Sequence, residues 1–158
     1  SGCFVYRFQE CEAFSVHMGG ADDSAARLHC FKGGGGASSR GKIVGAVVEQ
    51  FGCIADESKL VDVMGEFPLP VEVIPMSSNY VMREITKNIG GKPVLRKGFV
   101  TDNGNLILDV GGLKITNAKE LENKLNGIVG VVTNGLFASR GADVLLLGTQ
   151  QGVKTIKL

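Results

Sequence analysis

Apolar residues in the first third of the chain fall into short runs separated by glycine-rich or polar stretches. Residues 13–18 ("AFSVHM") form a mostly apolar run ended by "GGADDS", the pattern of a buried strand followed by a loop. Residues 27–31 ("RLHCF") read as a second strand that runs directly into Lys32 and four consecutive glycines. Beyond these, Ile43, Val47 and Phe51 recur at four-residue spacing, with Val44 and Val48 beside them. That is one apolar helical face from Ser38 to Phe51, with Ser38 or Ser39 as its N-cap. Residues 51–56 ("FGCIAD") then make a buried strand, and "ESKLVDVMG" a loop and turn. Strand, glycine-rich turn, helix and strand constitute an α/β unit with parallel pairing expected.

"FPLP" at 67–70 breaks any regular element and marks a crossing between domains. After it, "VEVIPM" is a strand, and residues 80–89 a helix with Val81, Ile85 and Ile89 on one side. "KPVLRKGFVT" and "NLILDV" are strands joined by "DNG", a hairpin signal because Asn and Gly tolerate positive φ. "TNAKELENKLNGI" is a second helix, with Asn117 as cap, Glu120 completing a capping box and Glu120–Lys124 an i,i+4 pair. "VVTNGLFA" follows as a strand, so the order is β-α-β-β-α-β, the ferredoxin-like plan. "ADVLLLGT" and "GVKTIKL" add two strands, the last a candidate to return to the first domain. The fold class expected is α/β: a partial doubly wound, Rossmann-like domain (1–70 with 150–158) carrying an inserted ferredoxin-like α+β domain (71–149).

Composition narrows the function classes. The 158 residues carry 44% hydrophobic and 21% charged side chains, enough for a core in one domain or two small ones. A net charge of +1 gives no electrostatic case for nucleic acid or an anionic membrane. No apolar run approaches the roughly 20 residues of a membrane helix, and "SGCFVYRF" does not read as a signal peptide, so a cytoplasmic location is expected. Cys3, Cys11, Cys30 and Cys53 form no C-x-x-C pair, and with two histidines zinc is not expected; the cysteines read as free thiols.

Lys32 with Gly33, Gly34, Gly35 and Gly36 before a helix is the best local signal. Consecutive N–H groups near a helix N-terminus surround an anion, and the lysine adds charge; tight backbone packing is the competing reading. The order of a Walker A loop is absent, as is a G-x-G-x-x-G fingerprint. Asp22 and Asp23 fall in a loop after a strand, where ligands of open sheets gather, but spacing alone favours a capping role. Lys59 follows the strand ending at Asp56 and can reach the same edge. His17 and His29 read as structural, because a catalytic histidine needs an orienting partner. Arg140 sits at the tip of a glycine-flanked turn, which reads as surface.

"KGGGGA", "CIADESK", "GEFPLPVEVIPM", "VTDNGNLILDV" and "GVVTNGLFASRGADVLLLGT" together closely resemble ribose-5-phosphate isomerase of the A type. The match is continuous from Phe51 onward and collinear but degraded from Ser1 to Gly41. The resemblance implies a cofactor-free, metal-independent isomerase of the pentose phosphate pathway, interconverting ribose 5-phosphate and ribulose 5-phosphate through an enediol. It implies a five-carbon sugar phosphate as ligand and a homodimer or higher homo-oligomer. The family's "DGAD" loop corresponds to Gly19, Gly20, Ala21 and Asp22, so its first aspartate is replaced by Gly19 while Asp22 matches the second. Its "KGGG" matches Lys32 to Gly35, and its later substrate-contacting lysine falls on Lys59. Its general base, the glutamate of "REK", falls on Gly41 in "RGK". The family's N-terminal "GTGST"-type loop has no counterpart in these residues. Three readings follow: part of an isomerase whose start and acidic side chains at 19 and 41 are not represented, a sugar-phosphate-binding homologue without turnover, or an assembly module. As written, the chain is expected to be inactive or nearly so.

Overall fold

The computed structural model describes residues 7–10, 14–24 and 28–157. Cys3, Cys11 and residue 27, the first of the expected strand at 27–31, lie outside the described residues. In chain order the elements are β1 (Phe14–Gly20), β2 (Asp23–Ser24), β3 (Cys30–Phe31), α1 (Ser38–Val47), β4 (Val48–Asp56) and β5 (Leu69–Val73). There follow α2 (Ser78–Asn88), β6 (Lys92–Leu95), β7 (Leu106–Gly111), α3 (Ala118–Asn126), β8 (Val131–Asn134), β9 (Leu136–Phe137), β10 (Val144–Thr149) and β11 (Gly152–Lys157).

Among the described residues the strands form three sheets. One has the order β1-β4-β10-β11, with β1, β4 and β10 parallel and β11 antiparallel. A small antiparallel sheet joins β2, β3 and β9. The third has the order β6-β7-β5-β8 with every pair antiparallel, and α2 and α3 connect its strands. That order, taken with β-α-β-β-α-β, is the ferredoxin-like arrangement expected from sequence. Val81 and Ile85 of α2 and Leu125 of α3 pack with Val71, Val73, Leu108 and Val110 of the sheet, all buried. Each such aliphatic side chain contributes roughly 1.5–3 kcal/mol by leaving water. A second core, around Phe51, Cys53, Phe137, Leu145 and Leu147, lies against the parallel sheet.

Several elements differ from their sequence reading. The first helix stops at Val47, and β4 starts at once at Val48, so Phe51 is a buried strand residue. Ile43 and Val47, expected to face a core, are 53% and 51% exposed. Two strand partners, β1 and β10, offer this segment backbone pairing on both edges, and that outweighs a four-residue apolar spacing. Neither serine caps α1: the N-cap position is Ala37, while Ser38 and Ser39 are buried within the first turn. Pro70 does not break the chain either. It lies inside β5 opposite Asp109, near the strand's start, where its missing N–H is tolerated, and its carbonyl accepts the Gly135 N–H at 2.8 Å.

The "DNG" turn is formed at the tip of a long connection between β6 and β7, with the Gly104 N–H donating to Thr101 O at 2.9 Å. "VVTNGLFA" is split at Gly135 into β8 and β9, which belong to different sheets. A Cβ at Gly135 would run into the Lys32 carbonyl, so two chain segments cross there at a distance only glycine permits. Finally β10, read from sequence with the second unit, hydrogen-bonds to β4 in the parallel sheet. Asn117 caps α3 as read, its side chain accepting the Glu120 N–H, and Glu120 and Lys124 pair at 2.7 Å. The capping box is not closed through the backbone, since Glu120 Oε2 accepts the Asn117 Nδ2–H at 3.0 Å.

Candidate functional site

Parallel pairing sets the C-terminal ends of β1 and β4 side by side, with Gly19 opposite Cys53 and Gly20 opposite Ile54. Chain leaving β1 is tied down at once. Ala21 N–H donates to Ile54 O at 3.1 Å, and Asp22 N–H to Phe31 O at 2.8 Å. Asp22 is thereby delivered to the start of the glycine run, where its Oδ2 accepts the Gly34 N–H at 2.8 Å. The two loops that sequence could only suggest as neighbours are directly bonded.

The glycine run is a tight turn, closed by the Gly36 N–H donating to Gly33 O at 2.8 Å. Gly33 and Gly36 adopt φ values of +121° and +78°, which L side chains avoid. Phe99 lies against Gly36, and Pro70 lies 2.8 Å from where a Gly33 Cβ would be. Arg96 reaches in from beyond β6, its Nη1 donating to Gly34 O at 3.0 Å. The same guanidinium grips Asp109 of β7 through Nε at 2.8 Å and Nη2 at 2.5 Å. Ser38, in the first turn of α1, is buried beside Gly33, and its hydroxyl has no hydrogen-bond partner among the described residues.

Lys32 enters the site from β3. Its backbone N–H donates to Gly135 O at 2.8 Å, and its Nζ lies 4.5 Å from the Phe51 ring centroid and 5.4 Å from that of Phe137. These aromatic faces attract the ammonium by cation–π interaction. A Cβ at position 19 would fall 2.6 Å from that Nζ, so Gly19 and Lys32 face each other. His17 stacks on Phe51 with centroids 5.4 Å apart. Burial, and then the Lys32 charge, hold its pKa below the usual value, so it is a neutral ring at pH 7.

Gly41 is the fourth residue of α1. Beyond the backbone of α1, its missing Cβ would have only the Phe137 ring within 4 Å among the described residues, at 3.9 Å, so a Cβ there has room. Phe137 is also the ring beneath Lys32, which puts the position of the expected base and the lysine around one aromatic side chain. Lys59 ends a short 3-10 turn, Glu57–Lys59, just past β4. It shares the sheet end with Gly20, but makes no hydrogen bond or ion pair to Asp22, Lys32 or the glycines.

Three parts of this neighbourhood escaped sequence reasoning. Arg96 with Asp109 is one. The second is Glu72, fully buried in β5, which accepts hydrogen bonds from Ser39, Thr101, Asn103 and Asn105. An acid in the middle of a wholly apolar strand was the available signal. The third is Lys42, next to Gly41, whose Nζ binds Glu122 Oε1 and Leu136 O, each at 2.6 Å. Among the described residues no group of three or more His, Cys, Asp or Glu is placed to hold a metal ion, and Cys30 and Cys53 are free and buried.

A family model, ribose 5-phosphate isomerase A (phosphoriboisomerase A), matches residues 1–152. The chain belongs to that family. Ribose 5-phosphate isomerase A of Neisseria gonorrhoeae superposes with a TM-score of 0.94 at 45% identity, over 97% of this chain and 68% of that one. The Methanocaldococcus jannaschii enzyme gives 0.89 at 42% identity, over 96% of this chain and 68% of its own. A D-ribose-5-phosphate isomerase in complex with phospho-erythronic acid gives 0.92 at 34% identity, covering 97% and 69%. For a ribose 5-phosphate isomerase A chain, the mixed α/β architecture found here is the one those structures share, and this chain spans about two thirds of their length.

Proposed function

We propose that this protein binds ribose 5-phosphate and ribulose 5-phosphate and belongs to the isomerase step that interconverts them. What supports this most directly is the Asp22–Gly34 bond, which joins the "GGAD" loop to the lysine–glycine loop at the C-terminal end of parallel strands. That sheet end is where ligands of open α/β sheets bind. In this reading Lys32, Gly33, Gly34, Gly35 and Lys59 hold the sugar phosphate, with Gly19, Gly20 and Ala21 shaping the loop and Asp22 and Lys32 handling charge on its oxygens.

The reaction moves one proton between adjacent carbons. A base removes the proton from C2 as the C1 carbonyl oxygen takes one up, giving an enediol. The proton then returns to C1 as the C2 hydroxyl becomes the ketone. Polarised donors stabilise the oxygens on which charge develops. The base belongs at position 41, where this chain carries no side chain. Binding without efficient turnover is therefore the second reading, and Gly41 is the observation that favours it. The reading further takes the protein to be cytoplasmic and a homodimer or higher homo-oligomer.

The test is a coupled assay of ketose formation from ribose 5-phosphate, run beside calorimetric titration with phospho-erythronic acid. Saturable binding that Lys32→Ala abolishes supports the site. Turnover at a rate typical of enzymes by the chain as written refutes the second reading, and no binding at millimolar ligand refutes both.

A further inference from the structure

Anion binding by a glycine turn depends on which way its N–H groups point, and glycine holds its own backbone loosely. In this turn the Gly34 N–H is already engaged by Asp22, and the Gly36 N–H by the Gly33 carbonyl. Gly35 is exposed, and its N–H makes no hydrogen bond among the described residues. With the Gly33 N–H, which likewise has no hydrogen bond among the described residues, it is a donor left to meet a ligand. Its direction is set by the peptide unit it shares with the Gly34 carbonyl, because N–H and C=O point opposite ways across a planar trans peptide.

That carbonyl is held by Arg96 Nη1 at 3.0 Å. Arg96 is not free to wander. Nε and Nη2 clasp the two Asp109 oxygens at 2.8 and 2.5 Å, its side chain is only 19% exposed, and its guanidinium lies 5.4 Å from the Phe99 ring centroid. Phe99 in turn packs on Gly36. One planar fork thus connects a rigid strand, β7, to the middle of the turn. Lysine carries the same charge but cannot bind a carboxylate in two places and a carbonyl in a third.

We propose that Arg96, anchored by Asp109, is a positioning residue for ligand binding: it fixes the Gly34–Gly35 peptide so that the Gly35 N–H is aimed at an oxyanion group of the bound sugar phosphate. The proposal rests on the sugar-phosphate reading of the loop. The experiment is titration of the full chain with phospho-erythronic acid, followed by calorimetry and by the Gly35 amide resonance in a 15N spectrum. Arg96→Lys is expected to weaken binding about tenfold, the worth of one hydrogen bond to a charged group, and to suppress the ligand-induced shift of Gly35. Its other amide resonances stay folded.

Parental affinity and a parental Gly35 shift in Arg96→Lys overturn the proposal, since a role through charge alone is rescued by lysine. Should Arg96→Lys fail to fold, Asp109→Asn takes the same measurement, because it keeps the guanidinium and loosens its anchor. Weaker binding with a reduced Gly35 shift then supports the role, and parental values overturn it. Lys32→Ala separates the two levels. Ligand binding that Lys32→Ala abolishes and Arg96→Lys retains removes the positioning role and leaves the site standing, whereas absence of binding by the parent chain removes both.

Discussion

Lys42 Nζ and Glu122 Oε1 lie 2.6 Å apart, joined across 80 residues of sequence. Their side chains are 18% and 4% exposed, and the second Glu122 oxygen accepts the Ala138 and Ser139 N–H groups at 3.0 and 2.6 Å. The pair therefore ties α1 to α3 and to the chain just after β9, immediately beside position 41. Removing one partner strands the other charge in the interior. Lys42→Met is expected to lower unfolding free energy by about 3–5 kcal/mol, measured by urea denaturation at pH 7. A loss below about 1 kcal/mol, the value of an exposed pair, contradicts the burial argument.

Glu72 predicts a pH dependence. Burial pushes its pKa up, but the Ser39, Asn105, Asn103 and Thr101 donors more than offset that, and the folded-state value lies below the ordinary one. A carboxyl group whose pKa is depressed by folding stabilises the native state fully above its unfolded value, about 4.3. That contribution is lost as pH falls through the folded value. Urea midpoints should accordingly drop on acidification below that region. Glu72→Gln, which turns an amide donor toward other donors, should cost about 1–3 kcal/mol at pH 7 and flatten that acid-side slope. An unchanged slope in Glu72→Gln assigns the acid sensitivity to other carboxylates.

Beyond the backbone of α1, a Cβ at position 41 would meet only the Phe137 ring among the described residues, at an ordinary 3.9 Å. If a missing carboxylate is what limits proton transfer, Gly41→Glu raises isomerase turnover by roughly 10²- to 10⁴-fold while Gly41→Gln does not. Both substitutions should also stabilise α1 by roughly 0.5–1 kcal/mol, since glycine is a poor helix residue. Equal rates for the glutamate and glutamine variants in the coupled assay rule out position 41 as the seat of the base.

Gly135 is a crossing point. Its N–H donates to Pro70 O and its carbonyl accepts the Lys32 N–H, each at 2.8 Å. Because a Cβ there meets backbone, Gly135→Ala should destabilise by about 1–3 kcal/mol, the usual cost of overpacking. It should also weaken phospho-erythronic acid binding, because Lys32 is displaced with its backbone. Intact affinity in a destabilised Gly135→Ala would show that Lys32 reaches its ligand independently of this crossing.

Legibility from sequence differed by element for identifiable reasons. The helices α2 and α3 were readable because their apolar residues, Val81 and Ile85 in one and Leu125 in the other, lie on one stripe with polar residues around them. The end of α1 was not. Phe51 continues the spacing of Ile43 and Val47 by coincidence of sequence, and only the presence of β1 and β10 on either side makes it a strand residue. Pro70 was misread as a break because a proline's tolerance depends on which side of the strand needs a donor. In the candidate site, Lys32, Asp22 and the glycines were recognisable as a cluster of loop chemistry. That Gly19 faces Lys32 depends on how the parallel sheet and the small sheet carrying β3 come together, which no spacing rule supplies.

By itself the sequence determined what is local and what is inherited: the element types of the second half, the turn-forming glycines, the ammonium beside them, the family, and the absence of a side chain at position 41. Tertiary structure alone decided where β10 pairs, that "VVTNGLFA" divides between two sheets, and which groups hold the glycine turn. Arg96 lies 62 residues from Gly34, and Glu72 lies 33 from Ser39. Helix and turn preferences arise from steric and hydrogen-bonding terms among neighbouring residues, so they can be read along the chain. Burial and long-range hydrogen bonding depend on distances in space, and these are set only once the sheets have chosen their partners.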